Sequence, residues 1–171
     1  TGVPQNLRTV KPGWVVEGVY DMDGDGHGDI VWRFTSTPAN PSPNPDDNGV
    51  VFVWFVKDNR LVDVKARGGA PVSWTLAGVG DLDGDGMGEV VWVAPADGGG
   101  DRQIRVLRAL PDRAFVNERI GNQPADHTLV RIGDFDGDGK ADLLFRSGDR
   151  LKLWLMNGTT IRQEVDLPTV N

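Results

Sequence analysis

The chain has 171 residues, a net charge of −7 and no cysteine, and it contains 23 glycines and 11 prolines. This length predicts a single repeat domain over residues 1–171, and this composition is typical of many short strands joined by tight turns. A disulfide framework and thiol chemistry are excluded. No apolar run approaches the roughly 20 residues of a membrane-spanning helix, and no basic surface of a nucleic-acid-binding protein is present.

One order of strands occurs three times along the chain. Residues Asn6–Lys11 resemble the last strand of a unit that has no unit before it. Each following unit has a first strand, an acidic loop and then three more short runs of β-branched and aromatic residues, which predict strands rather than helix. The predicted strands after the loops are Ile30–Phe34, Val51–Val56 and Arg60–Ala66, then Val90–Val93, Ile104–Ala109 and Ala114–Ile120, then Leu143–Arg146, Leu151–Met156 and Thr160–Leu167.

Four strands in each unit match the strand count of a β-propeller blade. We therefore predict an all-β fold, a β-propeller-type array of three four-stranded blades with little or no helix. The predicted parts are a stray strand at 1–11 and blade units at 12–68, 69–121 and 122–171. Three blades cannot close a ring, because each blade needs a neighbour on both faces. We expect either a homodimer that completes a ring or the remainder of a longer propeller.

Each unit carries a nine-residue loop with carboxylates at positions 1, 3, 5 and 9 and glycine at position 6. The carboxylates repel one another unless a cation lies among them, and position 7 can add its backbone carbonyl. Hard oxygens in this number suit Ca²⁺ better than Mg²⁺ or a transition metal. We predict three calcium sites, with the ligands Asp21, Asp23, Asp25, His27 and Asp29, then Asp81, Asp83, Asp85, Met87 and Glu89, then Asp134, Asp136, Asp138, Lys140 and Asp142.

Two other interpretations of these loops are excluded. Asp-Gly runs also form ordinary turns, but the five fixed positions match by chance about once in 10⁶ starting points, and here they match three times in phase. An EF-hand needs a bidentate Glu at position 12, between two helices. Position 12 is instead Trp32, Trp92 or Phe145, each in a predicted strand, which excludes the EF-hand and its dockerin relatives.

The loops between strands resemble those of the FG-GAP/VCBS repeat family, which occurs in integrin α-subunits and many bacterial surface proteins. The segments GDFDGDGKADLLFR and LWLMNG are most similar to bacterial members, and the resemblance extends over all three units. It implies calcium-stabilised propeller blades in a secreted or cell-surface protein. It implies no catalytic residue.

Three features are candidates for a binding surface. The tryptophans occupy three repeated positions, which favours packing between blades, although exposed tryptophan would also suit sugar stacking; the pairs are Trp14/Trp74, Trp32/Trp92 and Trp54/Trp154. The copies differ in two inserted loops, 36–49 and 94–101, and in a possible cationic patch formed by Arg102, Arg108 and Arg113.

The sequence therefore predicts a non-catalytic recognition module, with a carbohydrate as the expected ligand of a lectin or accessory module. A protein-interaction or cell-adhesion module is the first alternative, and a fragment of a propeller-type polysaccharide lyase is the second. The two histidines lie in different units, and no G-x-S-x-G or H-E-x-x-H motif is present, so no catalytic residue is predicted.

Overall fold

The computed structural model describes residues 10–36, 41, 48–96, 100–109, 115–124 and 126–169. These residues form twelve β-strands and no helix, so no segment among them is a helix able to cross a bilayer. The strands are β1 (Trp14–Tyr20), β2 (Asp29–Phe34), β3 (Val50–Lys57), β4 (Arg60–Gly69), β5 (Thr75–Gly80), β6 (Glu89–Ala94), β7 (Gln103–Ala109), β8 (Phe115–Asn122), β9 (Thr128–Gly133), β10 (Asp142–Ser147), β11 (Arg150–Asn157) and β12 (Thr160–Leu167).

The strands form three antiparallel four-stranded sheets in which neighbours in the chain are neighbours in the sheet. Blade 1 is β1-β2-β3-β4, blade 2 is β5-β6-β7-β8 and blade 3 is β9-β10-β11-β12. The predicted all-β class and the four strands of each unit are confirmed. Two compact units are present, Thr1–Val72 with blade 1 and Ser73–Asn171 with blades 2 and 3.

The first two strands of every blade share a β-bulge at the same place. The extra residue is Glu17 in blade 1, Ala77 in blade 2 and Val130 in blade 3, and each lies in the strand that enters the acidic loop. A bulge bends its strand and increases the local twist, and both effects change the direction of the chain that follows. Repetition of the bulge shows that the three units share backbone geometry as well as sequence.

Blades 2 and 3 pack against each other through a common apolar core. Blade 2 contributes Val91, Ile104 and Val106, and blade 3 contributes Phe145 and Trp154, all of them buried. The two blade 3 rings lie 4.7 Å apart between centroids at a tilted angle, a favourable aromatic arrangement. Burial of large side chains from both sheets is what holds this second unit together.

Backbone hydrogen bonds extend the contact between the two blades to the acidic loop of blade 2. The amide of Ala141 donates to the carbonyl of Asp81 at 2.6 Å, and the amide of Gly158 donates to the carbonyl of Leu82 at 2.7 Å. Leu82 itself is buried in the core between the blades. The first two residues of this loop are therefore part of the blade-to-blade contact.

Substitution of Gly80 by alanine is expected to destabilise the second unit. An added Cβ at Gly80 would lie 2.6 Å from Ile132 Cγ2 and 2.7 Å from Ala141 Cβ, both in blade 3. Such overpacking costs about 1–3 kcal/mol, measurable by urea unfolding. The matched control is Gly133→Ala at the equivalent position of blade 3, where an added Cβ meets nothing within 4 Å. Equal losses in the two variants would contradict the close packing at Gly80.

Candidate metal sites

The acidic loops turn sharply because two glycines in each adopt left-handed backbone conformations. Gly24 and Gly26 have φ angles of 77° and 81° in the first loop, and positions 4 and 6 of the other two loops have φ between 80° and 85°. Only glycine adopts this region without a steric cost. The sequence analysis identified the glycine at position 6, and the structure adds the one at position 4.

Backbone amides hold the carboxylates at the start of each loop in place. In the first loop, Asp21 Oδ1 accepts a hydrogen bond from the amide of Gly24 and Asp21 Oδ2 from that of Gly26, each at 2.8 Å. Asp81 and Asp134 accept the equivalent bonds in the other loops. The amides of Gly139 and Gly137 hold the pKa of the Asp134 carboxyl below its usual value. These bonds favour ionised carboxylates that are already oriented.

The carboxylates at positions 3 and 5 make the same kind of bond further along each loop. The position 3 carboxylate accepts from the amide of position 5, at 3.1–3.3 Å, and the position 5 carboxylate accepts from the amide of position 7, at 2.8–2.9 Å. Each aspartate thus bonds the backbone two residues ahead, as in an Asx-turn. The loops are therefore pre-organised by their own backbone.

The acidic residue at position 9 has a different environment, because it is the first residue of the next strand and is buried. Asp29 and Asp142 each accept from two amides, one in the loop and one in the third strand of the blade, at 2.8–3.0 Å. Glu89 Oε2 accepts from the amide of Leu82 at 2.9 Å. Position 9 therefore ties the start of the loop to the sheet.

Burial and neighbouring charges make two of the three position 9 carboxyl groups, those of Glu89 and Asp29, costly to ionise. Burial raises the pKa of Glu89 to about 8, and the carboxylates of Asp83, Asp85 and Asp81 add to this rise. Burial also raises the pKa of Asp29, although its two amide partners oppose the effect. A cation among these groups would favour their ionised forms.

In each loop, three carboxylates bring one oxygen apiece within 4.8 Å of the others. Two oxygens on opposite sides of one Ca²⁺ lie about 4.6–5.2 Å apart, so these distances fit a shared ion. The three groups are Asp21, Asp23 and Asp29, then Asp81, Asp83 and Asp85, then Asp134, Asp136 and Asp142. Asp25, Glu89 and Asp138 lie outside these groups, and they remain predicted ligands together with the carbonyls of His27, Met87 and Lys140.

Two cationic side chains that the sequence analysis did not identify lie against the loops. Lys57 Nζ is 3.0 Å from Asp25 Oδ2, and this contact holds the pKa of the Asp25 carboxyl below its usual value. Arg162 contacts the carboxylate of Asp136 and lies 3.5 Å from Asp138 Oδ2. Arg162 is the extra residue of a β-bulge opposite Leu155 and Met156, a feature of the structure that the sequence does not mark.

Of the six tryptophans, two are buried and four, including Trp74, are only partly buried. Trp92 and Trp154 are buried, as predicted for packing positions. Trp14, Trp32 and Trp54 are only partly buried, and they line an open pocket of about 230 Å³ in blade 1.

The other two predicted surface features have limited support. Arg108 forms a bidentate ion pair with Glu118, at 3.0 and 3.1 Å, so its charge is neutralised. Arg113 and most of the inserted loops, at 37–40, 42–47 and 97–99, lie outside the described residues.

Four-stranded blades with an acidic loop after the first strand define a class of all-β repeat proteins. The model of the FG-GAP-like repeat family matches residues 81–145, which run from the first residue of the second acidic loop to β10 in blade 3. This stretch is similar to an FG-GAP-like repeat, and the resemblance predicted from the sequence is confirmed there. A search of curated proteins found no match to the chain.

Proposed function

We propose that the chain is a non-catalytic recognition module that three calcium ions stabilise outside the cell. One observation carries the proposal: equivalent loops of all three blades bring three carboxylate oxygens together. Extracellular calcium-binding modules work at about 10⁻⁴–10⁻³ M, which suits loops as exposed as these. The FG-GAP-like repeat at 81–145 supports both calcium and a secreted or cell-surface location.

The calcium ions would act mainly on structure. The second loop bonds blade 3 through the carbonyls of Asp81 and Leu82, so an ion in that loop would stiffen the contact between the blades. The loop carboxylates already accept backbone amides, which leaves them little freedom for proton transfer to a substrate. An ion that several carboxylates compensate also has little remaining Lewis acidity. These points support a module without catalysis.

Isothermal titration of the calcium-free protein tests the proposal. Wild type is expected to bind three Ca²⁺, and each of Asp21→Asn, Asp81→Asn and Asp134→Asn is expected to lose one. Mg²⁺ is the matched control, because it demands octahedral geometry and gives up its water reluctantly. Absence of calcium binding up to millimolar concentrations, in protein shown to be folded by circular dichroism, would exclude the proposal.

The third site is expected to bind calcium more tightly when Arg162 is replaced by glutamine. Its guanidinium pairs with Asp136 and Asp138, and the ion must displace it from both. Exposed ion pairs contribute about 0.2–1 kcal/mol, so the gain in affinity is expected to be about two- to fivefold. Lys152→Gln is the control, because Lys152 pairs with Asp166 in the same blade, away from the loop. An unchanged third affinity would show that Arg162 does not compete.

Carbohydrate binding is the more specific candidate for the recognition role. The observation that favours it is the blade 1 pocket, since the faces of Trp14, Trp32 and Trp54 can stack on sugar rings. Among the described residues its lining is almost wholly apolar, with Lys11 the one charged residue, so few of them can bond hydroxyls. A glycan array in calcium, with wild type and Trp14→Ala, tests this candidate, and a blank array would exclude it.

Two other roles are tested separately. A protein-interaction or adhesion role predicts calcium-dependent binding to purified matrix or cell-surface proteins, which EDTA abolishes. A role as part of a polysaccharide lyase predicts unsaturated products from pectic polymers. Release of such products would contradict a non-catalytic module.

A further inference from the structure

The contact between blades 2 and 3 shows how one blade of this chain covers the next. We call the blade 2 surface with Val91, Ile104 and Val106 face A, and the blade 3 surface with Phe145 and Trp154 face B. Alternation of side chains along paired strands places an equivalent face A and face B on every blade. Face A of blade 2 packs on face B of blade 3.

Face A of blade 3 repeats the buried face A of blade 2 but is less buried among the described residues, since Leu153 is buried while Leu144 is only partly buried and Phe135 is exposed. Leu144 pairs with Leu153 in blade 3 as Val91 pairs with Val106 in blade 2. The largest difference in exposure is at position 2 of the acidic loop. Leu82 is 1% exposed in blade 2, while its counterpart Phe135 is 46% exposed in blade 3. A large exposed aromatic at a position that is buried in the neighbouring blade marks a docking surface.

The glycine before each loop shows the same difference. A Cβ at Gly80 would meet Ile132 and Ala141 of the next blade, whereas a Cβ at Gly133 would meet nothing within 4 Å. The space beside Gly133 is therefore open where the space beside Gly80 is filled.

Face B of blade 1 has the complementary character. Trp32 and Trp54 occupy the positions that Phe145 and Trp154 occupy in blade 3, and their centroids lie 5.0 Å apart. In blade 3 these rings are buried under blade 2, but in blade 1 they line the open pocket with Trp14. An apolar pocket of about 230 Å³ suits an aromatic side chain better than a polar ligand.

The edge of face B agrees with this interpretation. Ile132 packs against the core between blades 2 and 3, whereas its blade 1 counterpart Val19 is 60% exposed. Ala141 is buried in that contact, whereas its counterpart Gly28 is exposed. The blade 1 turn can also donate the matching backbone hydrogen bond, because Asp58 has a left-handed φ of 50°, similar to the 62° of Gly158.

We propose that face A of blade 3 in one copy docks on face B of blade 1 in a second copy of the chain. Phe135 enters the tryptophan pocket, and Gly133 lies against Val19 and Gly28, as Leu82 and Gly80 contact blade 3 within one copy. The contact is heterologous, since it joins two different surfaces, and contacts of this kind build either a closed ring or an open chain of copies. This inference depends on blade packing and not on the proposed calcium role or on a glycan.

Sedimentation velocity over a dilution series tests the contact in the intact chain. Wild type is expected to associate, and Phe135→Ser in face A and Val19→Lys in face B are each expected to weaken association at least about tenfold. Both side chains are exposed, so both variants should fold, which circular dichroism checks. The controls are Val130→Ser and Val62→Lys, which alter exposed valines at two β-bulges that take no part in the contacts described above.

Mixing the two variants gives the decisive result. A Val19→Lys copy retains its face A and a Phe135→Ser copy retains its face B, so the mixture is expected to regain association that neither variant shows alone. Tryptophan emission of wild type is expected to shift to longer wavelength on dilution, as the pocket opens to water. A monomer at every concentration, or a mixture that stays monomeric, would overturn the proposal. Glycan binding lost in Trp14→Ala, in a protein that is always monomeric, would make the pocket a sugar site instead.

Discussion

Removal of calcium with EDTA is expected to lower the melting temperature by about 15–30 °C. A site at one hundred times its Kd adds about 2.7 kcal/mol, so three independent sites add about 8 kcal/mol. Each 1 kcal/mol moves the melting temperature of a chain of this length by about 2–4 °C. The physical cause is repulsion among carboxylates that the loop backbone holds together, as in the group Asp21, Asp23 and Asp29.

Differential scanning calorimetry in calcium, in EDTA and in EDTA with excess Mg²⁺ measures this loss. The second compact unit holds two of the three loops, so its transition is expected to move further than that of the first unit. The triple variant Asp21→Asn, Asp81→Asn, Asp134→Asn is the control, and its scan in calcium should match the scan of wild type in EDTA. Superimposed wild-type scans with and without calcium would contradict a stabilising role.

The strand order could be predicted because each unit repeats the same alternation and the same turn residues. The bulges at Glu17, Ala77 and Val130 could not be predicted. One extra residue in a short strand can be of any type, so the sequence does not show which residue lacks a partner on the neighbouring strand. The contact of Arg162 with the third loop depends on another bulge, and for the same reason the sequence gives no sign of it.

The carboxylates of the sites could be predicted, but their individual positions could not. The pattern treats Asp29 and Glu89 alike, yet Asp29 joins its metal group while Glu89 does not. Glu89 has one more methylene and is held at the amide of Leu82. The pattern also treats Trp54 and Trp154 alike, whereas the structure buries Trp154 and leaves Trp54 at an open pocket. Burial depends on which blade covers a face, and the repeat does not encode that.

The Asp142→Ala variant is expected to lose about 2–4 kcal/mol of unfolding free energy even in EDTA. Asp142 is fully buried, and its two oxygens accept the amides of Phe135 and Met156 at 3.0 and 2.8 Å. Alanine leaves both amide donors without a partner. Each buried donor that lacks a hydrogen bond costs about 1–3 kcal/mol of unfolding free energy. Relief of repulsion from the other loop carboxylates offsets only part of this cost.

Urea unfolding in EDTA, with Asp138→Ala as the matched control, separates this structural role from metal binding. Asp138 belongs to the same loop and is also a predicted ligand, but it is exposed, so water can replace it at the amide of Lys140. In EDTA the control is expected to unfold within about 0.5 kcal/mol of wild type, while Asp142→Ala unfolds much earlier. In calcium both variants should lose stability, because both lose a ligand. Equal stability of the two variants in EDTA would mean that Asp142 acts through the ion alone, and that its amide bonds do not hold the loop to the sheet.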